Sequence, residues 1–138
     1  MKVLVVHGAG MEMRGKVNVE LFGPMTLDQY DETIRRYAVE LGVDVDIFHS
    51  NVEDEVIAKL HAAAEAGTDA VLINPSGYMN GHPSLVDAIR TIDIPVYETH
   101  MSNPANRGAT SQVSGACDGV ITGFGILGYY MCLAALKR

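Results

Sequence analysis

Glu98 and His100 stand two residues apart in Tyr97-Glu-Thr-His100, and in an extended chain residues i and i+2 point to the same face. A carboxylate so placed orients an imidazole and holds it protonated or in one tautomer, as acid/base chemistry or hydroxyl binding requires. Directly after them, Met101-Ser-Asn103 offers backbone N–H groups and a hydroxyl, readable as a nest for a carboxylate or as an ordinary capped turn. A second group lies in Asn74-Pro-Ser-Gly-Tyr-Met-Asn-Gly-His82, where Asn74, Tyr78, Asn80 and His82 follow the apolar run Val71–Ile73. A third follows the N-terminal run Val3–Val6: His7 stands at its mouth, and Glu12 and Arg14 come two apart. That pair reads as a base with its charge partner, or as two solvated loop charges. Other chemistries are poorly served. Gly8-Ala-Gly10 is too short for a phosphate-binding fingerprint. No pair among His7, Glu12, His82, Glu98 and His100 has helical ligand spacing, so no metal is expected. Cys117 and Cys132 have no base beside them in sequence and read as buried thiols.

Positioning these groups requires a frame, and strand and helix signals alternate along the chain. Val3–Val6 is a strand, and Met11–Met25 has no clear periodicity. Thr26-Leu-Asp-Gln29 has capping-box spacing ahead of an amphipathic helix, with Leu27, Tyr30, Ile34, Tyr37 and Leu41 on one face and Gly42 as its stop. Val43–Phe48 alternates aliphatic residues with Asp44 and Asp46, which predicts a strand near a sheet edge. Ser50-Asn-Val-Glu53 has the spacing of a second capping box, opening a helix that ends near Gly67. Val71–Ile73 reads as a doubly buried strand ended by Asn74-Pro75. A helix from about Pro83 to Ile92, a strand Pro95–His100, a fifth strand within 115–122 and a helix 125–138 complete the pattern. Five strands separated by helices predict a doubly wound α/β sandwich, a five-stranded parallel sheet of flavodoxin-like order 2-1-3-4-5 with helices on both faces. Ligands of such sheets bind beyond the carboxyl ends of the strands at the switch point, here between strands 1 and 3.

With 138 residues and 48% hydrophobic content, the chain is expected to form a single domain over 1–138 with an adequate core. Its formal net charge of −7 argues against nucleic acid or an anionic membrane surface as the main partner. The run before Gly8 is too brief for a signal peptide, no apolar stretch approaches a membrane span, and the thiols fit a reducing compartment, so a cytoplasmic location is expected.

Motifs along nearly the whole chain resemble the type II 3-dehydroquinate dehydratases. They are the N-terminal strand, Leu21-Phe-Gly before Thr26-Leu, Phe48-His-Ser-Asn51, Leu72-Ile-Asn-Pro75 with Tyr78, Ile94-Pro-Val-Tyr-Glu-Thr-His-Met-Ser-Asn103, and Gly119-Val-Ile-Thr-Gly-Phe-Gly125 before Gly128-Tyr129. The resemblance implies a flavodoxin-like subunit, trimers assembled into a dodecamer, no cofactor, and trans-elimination of water from a cyclic hydroxy-keto acid through an enolate. It assigns the substrate carboxylate to the Met101 N–H and Ser102, the substrate hydroxyls to His100, and the orienting role to Glu98. Asn74 takes the place beside the departing oxygen, and Asp87 that of an acid reaching a neighbouring subunit's site.

The other half of the pattern departs from the family. Its opening Asn-rich loop reads His7-Gly-Ala-Gly-Met-Glu-Met-Arg-Gly15 here, with Gly10 in place of an Asn. Val17 and Phe22 occupy the places of the lid Arg and of the Tyr that abstracts the proton. Asn80 stands where the family's loop His is, with His82 two residues on, and only Arg107 remains of two arginines. Neither Val nor Phe can take a proton. Three readings follow. The first is a carbon–oxygen lyase or related acid/base enzyme of altered specificity for a small cyclic or hydroxylated carboxylic acid, with Glu12, His82 or His7 as new acid/base groups. The second is 3-dehydroquinate dehydration itself by substitute residues. The third is a non-catalytic carboxylate binder or assembly subunit.

Overall fold

Aliphatic runs unbroken by charge bury both faces of a strand, and β1 (Lys2–Ala9) and β3 (Ala70–Ser76) are buried along almost their whole length. The structure, a computed structural model, describes residues 1–137; the expected helical end at Arg138 lies outside the described residues. With β2 (Asp44–His49), β4 (Val96–His100) and β5 (Gly119–Thr122) these strands form one parallel sheet of order β2-β1-β3-β4-β5, the expected flavodoxin-like topology. Strand alternation then divides the core. Val3, Val5 and Leu72 face α2 (Leu27–Leu41) and α5 (Leu127–Lys137). Leu4, Val6, Val71, Ile73 and Val96 face α3 (Glu53–Glu65) and α4 (Pro83–Thr91).

The Thr26 box forms as expected: its hydroxyl accepts from the Gln29 N–H, the Gln29 amide oxygen accepts from the Thr26 N–H, and Gly42 ends α2 in the left-handed conformation. Three local expectations are corrected. The second capping box is absent: Val52 is the cap of α3, while the Ser50 hydroxyl accepts from the Val52 N–H and donates to Glu55 instead of serving residue 53. Asn74-Pro75 does not end β3, which runs on to Ser76. Val71 donates to Pro95 on the β4 side, so residues 73 and 75 face the same way, and the register with β4 stops at Ile73 and Glu98. Pro75 therefore removes no ladder bond. Third, the segment expected to be irregular contains a 3-10 turn, Met11–Met13, and a short helix, α1 (Val19–Phe22).

That segment is a lid over the carboxyl ends of β1 and β3. Met11 is fully buried beneath it, and Gly10 and Gly23 at its ends adopt positive φ. Below the lid, β1 and β3 approach closely at Gly8, where an added Cβ would lie 1.9 Å from the Pro75 carbonyl oxygen.

Candidate active site

At the end of β4 the parity of the strand does what the spacing requires. Glu98 and His100 share the α3–α4 face, with the Glu98 Oε2 2.5 Å from the His100 Nε2. The second Glu98 oxygen accepts from the Ser114 hydroxyl. Burial pushes this carboxyl up, but hydrogen bonds from His100, Ser114 and Ser111, with the charge of His100, outweigh it and hold it below the ordinary carboxylate range. One turn onward the Arg107 guanidinium donates to the Ser102 hydroxyl at 3.1 Å, and the Met101 carbonyl accepts from Gly125. A cleft of about 280 Å³ opens beside His100, bounded by Asn103, Pro104, Thr110, Ser111 and Ser114.

Asn74 and His7 face the other way. They are register partners on β3 and β1, pointing into the α2–α5 side, and both are at 1% exposure or less. His7 Nε2 lies 2.7 Å from Asp31 on α2, its ring meets the edges of Tyr30 and Tyr129, and its Nδ1 has no partner. Asn74 donates to the Tyr129 hydroxyl at 3.3 Å and leaves its Oδ1 unpartnered. Burial raises the Tyr129 hydroxyl well above its ordinary value despite that bond. His7 and Asn74 therefore meet the Glu98 and His100 pair only at the carboxyl edge of the sheet, across the crevice.

Several expected site residues are engaged elsewhere. Glu12 and Arg14 do not pair: residues two apart on a 3-10 turn diverge. Glu12 accepts from the Asn51 amide, whereas Arg14 turns inward over Phe22. Tyr78 is a core residue at 2% exposure whose hydroxyl donates to the Ser50 carbonyl, so it cannot serve a ligand. Burial, then Glu53, Glu55 and Glu12, raise that hydroxyl further. His82 caps α4, with its Nδ1 3.3 Å from Glu53 and its ring against Tyr78. Asn80 donates to the Thr110 carbonyl. Asp87 lies exposed on α4. Burial raises the Cys132 thiol to about 11 and, with Glu98 and Asp118 nearby, that of Cys117 to about 12, so neither is a thiolate near neutral pH. Among the described residues no helix is long and apolar enough to cross a membrane.

Comparison with known proteins spans nearly the whole chain. A family model described as dehydroquinase class II matches residues 1–137. The chain belongs to the class II dehydroquinase family. A curated 3-dehydroquinate dehydratase of Caldanaerobacter subterraneus subsp. tengcongensis is 39% identical, over 99% of this chain and 93% of that one. A type II dehydroquinase of Butyrivibrio crossotus superposes with a TM-score of 0.96 at 29% identity, covering 100% of this chain and 98% of that one. A 3-dehydroquinate dehydratase-like protein of Bifidobacterium longum, at 27% identity and with 99% and 95% covered, superposes less closely, with a TM-score of 0.76.

Within this candidate site, sequence reasoning missed Asp31, Tyr30, Tyr129 and Ser114. Tyr30 and Tyr129 sit in apolar helical patterns that signal core, and Asp31 and Ser114 acquire partners only through the fold.

Proposed function

We propose that the chain is a 3-dehydroquinate dehydratase, removing the elements of water from a cyclic hydroxy-keto acid. The observation carrying this is the Glu98–His100–Ser114 unit with Ser102 and Arg107 immediately beyond it, and Asn74 near the end of the adjacent strand on the opposite face. Naming of curated relatives as dehydratases over nearly the full length favours the family reaction above an altered specificity or a binder without chemistry. The Met101 N–H, Ser102 and Arg107 hold the substrate carboxylate. His100, oriented by Glu98, holds the ring hydroxyls, and Asn74 stands by the departing oxygen.

Phe22 and Val17 leave the proton-abstracting group to be supplied by another residue. Of the substitutes, Glu12 accepts from Asn51 and His82 stands partly exposed at the cap of α4 against Glu53, whereas His7 is buried beside Asn74 at the switch point, with Asp31 orienting one nitrogen and its Nδ1 unpartnered. That is the geometry of a general base with its orienting acid. His7 takes the proton beside the ketone, the bond electrons pass through the enolate into a new C=C bond, and the hydroxyl leaves as hydroxide that takes a proton from solvent, to which His7 returns its own. Asp87 then serves a neighbouring subunit's site in a trimer-based dodecamer, a state that sedimentation of the purified protein checks.

Purified protein is mixed with 3-dehydroquinate and the absorbance of the conjugated enone product is followed. Turnover is the expected result. Absence of turnover, with small cyclic acids still binding, overturns the dehydratase reading and leaves the carboxylate pocket to a different reaction or none.

A further inference from the structure

Arg14 is 6% exposed, yet among the described residues no carboxylate comes within ion-pair distance of it. Its guanidinium has only the Tyr30 hydroxyl at 3.5 Å, the Ser76 hydroxyl at 3.4 Å and the face of Phe22 at 3.8 Å. Five N–H donors thus meet two long contacts to neutral oxygens. Buried charges are ordinarily paired. The chain has 17 acidic residues against 10 lysines and arginines, so a scarcity of carboxylates is not the cause. Two residues before Ser76, the buried Asn74 Oδ1 also lacks a partner, as does the Nδ1 of its register neighbour His7. Arg14 lies on the lid, and its contacts reach from α2 to the end of β3.

We infer that Arg14 seats a second anionic oxygen of the ligand, across the crevice from the carboxylate seat at Met101, Ser102 and Arg107. The position of that first seat rests on the proposed dehydratase reading. Ser76 ends β3 and Met101 directly follows the end of β4, so both stand at the carboxyl edge of neighbouring strands. The substrate of the proposed dehydration carries its ketone in the 1,3 relation to its carboxylate, so a ring held at Met101, Ser102 and Arg107 presents a second oxygen to be seated. The ligand class is therefore a small ring acid that carries, or develops during reaction, a second anion in the 1,3 relation to its carboxylate. In the dehydration this second group is the ketone oxygen. It takes the electron pair left when the neighbouring C–H proton moves to His7, and returns it as the C=C bond forms and the C–O bond breaks; the departing hydroxide takes a proton from solvent to leave as water, and His7 returns its proton to solvent.

Calorimetric binding of benzoate and of benzene-1,3-dicarboxylate to the intact protein and to R14Q tests the seat, with thermal melting to confirm folding. The wild-type protein is expected to prefer the dicarboxylate by about tenfold or more, the size of one charge-assisted contact. R14Q is expected to erase the preference while leaving benzoate affinity unchanged, and R14K, which keeps the charge without the fork, to retain part of it. No preference in the wild-type protein overturns the inference, as does a preference that survives both variants undiminished. If R14Q does not fold, the wild-type ratio and R14K decide. Turnover of 3-dehydroquinate without a dicarboxylate preference removes this inference and leaves the proposed function. The preference without turnover does the reverse.

Discussion

At the scale of single residues, the difference between His7 and the other candidate bases is one of place. Glu12 and His82 stand partly exposed against Asn51 and Glu53, while His7 is buried near the end of β1 beside Asn74, with one ring nitrogen unpartnered and the other fixed by Asp31. H7Q is expected to lower kcat by about 10²–10⁴-fold with little change in KM, and D31N to lower it less, because removing the orienting acid leaves the base in place. Steady-state rates on 3-dehydroquinate check this, and an unchanged kcat in H7Q would remove His7 from the mechanism. The binding half should behave differently: S102A and H100A are expected to raise KM about tenfold or more, V17A to leave it unchanged, and equal effects at all three would refute the asymmetry. Glu98 makes a pH prediction. Its folded value lies below the unfolded one, so its stabilisation is present above the ordinary carboxylate range and is lost as pH falls through the folded value. E98Q is expected to be less stable by about 1–3 kcal/mol near neutrality and to converge on the wild type in acid, as melting curves from pH 7 to 3 will show. Asp31 carried no signal in the sequence because its partner is 24 residues away and lies on a different element.

At the scale of elements, β1 and β3 carry the site, and their contact is set by the absence of a side chain at Gly8. A methyl group there would meet the Pro75 carbonyl at 1.9 Å, between two strands held in register from Val3 to Ala9. G8A is therefore expected to prevent folding or to cost well over the about 1 kcal/mol expected for T26A, which removes only the cap of α2. Denaturant titrations of the two variants compare them, and a G8A protein as stable as T26A would contradict the close approach. Element types were legible in the sequence wherever local chemistry decides them: the Thr26 box, Pro83 in the first turn of α4, Gly42 as a stop. Ser50 was misread because its hydroxyl found a better partner in Glu55, and Pro75 because a strand tolerates proline once its neighbour has ended.

For the whole molecule, the lid settles access. His7, Tyr30, Asn74 and Tyr129 are all at 1% exposure or less beneath residues 11–25, so a ligand that touches them enters only when the lid moves. Backbone amides of 11–25 are expected to exchange with deuterium much faster than those of β1 and β3, and to slow when a small ring acid binds. Equal protection of lid and sheet would argue against that opening. From the sequence alone came the α/β class, the strand order, the Glu98 and His100 pair and the family, because these depend on periodicity, on spacing within one element and on motifs in fixed order. The tertiary structure decided that His7 meets Asp31, that Arg14 leaves Glu12 for Tyr30 and Ser76, and that Asn74 and His100 approach the crevice from opposite faces. Those facts depend on which elements lie side by side and which way each side chain turns, and contacts across tens of residues leave no periodic trace in the chain.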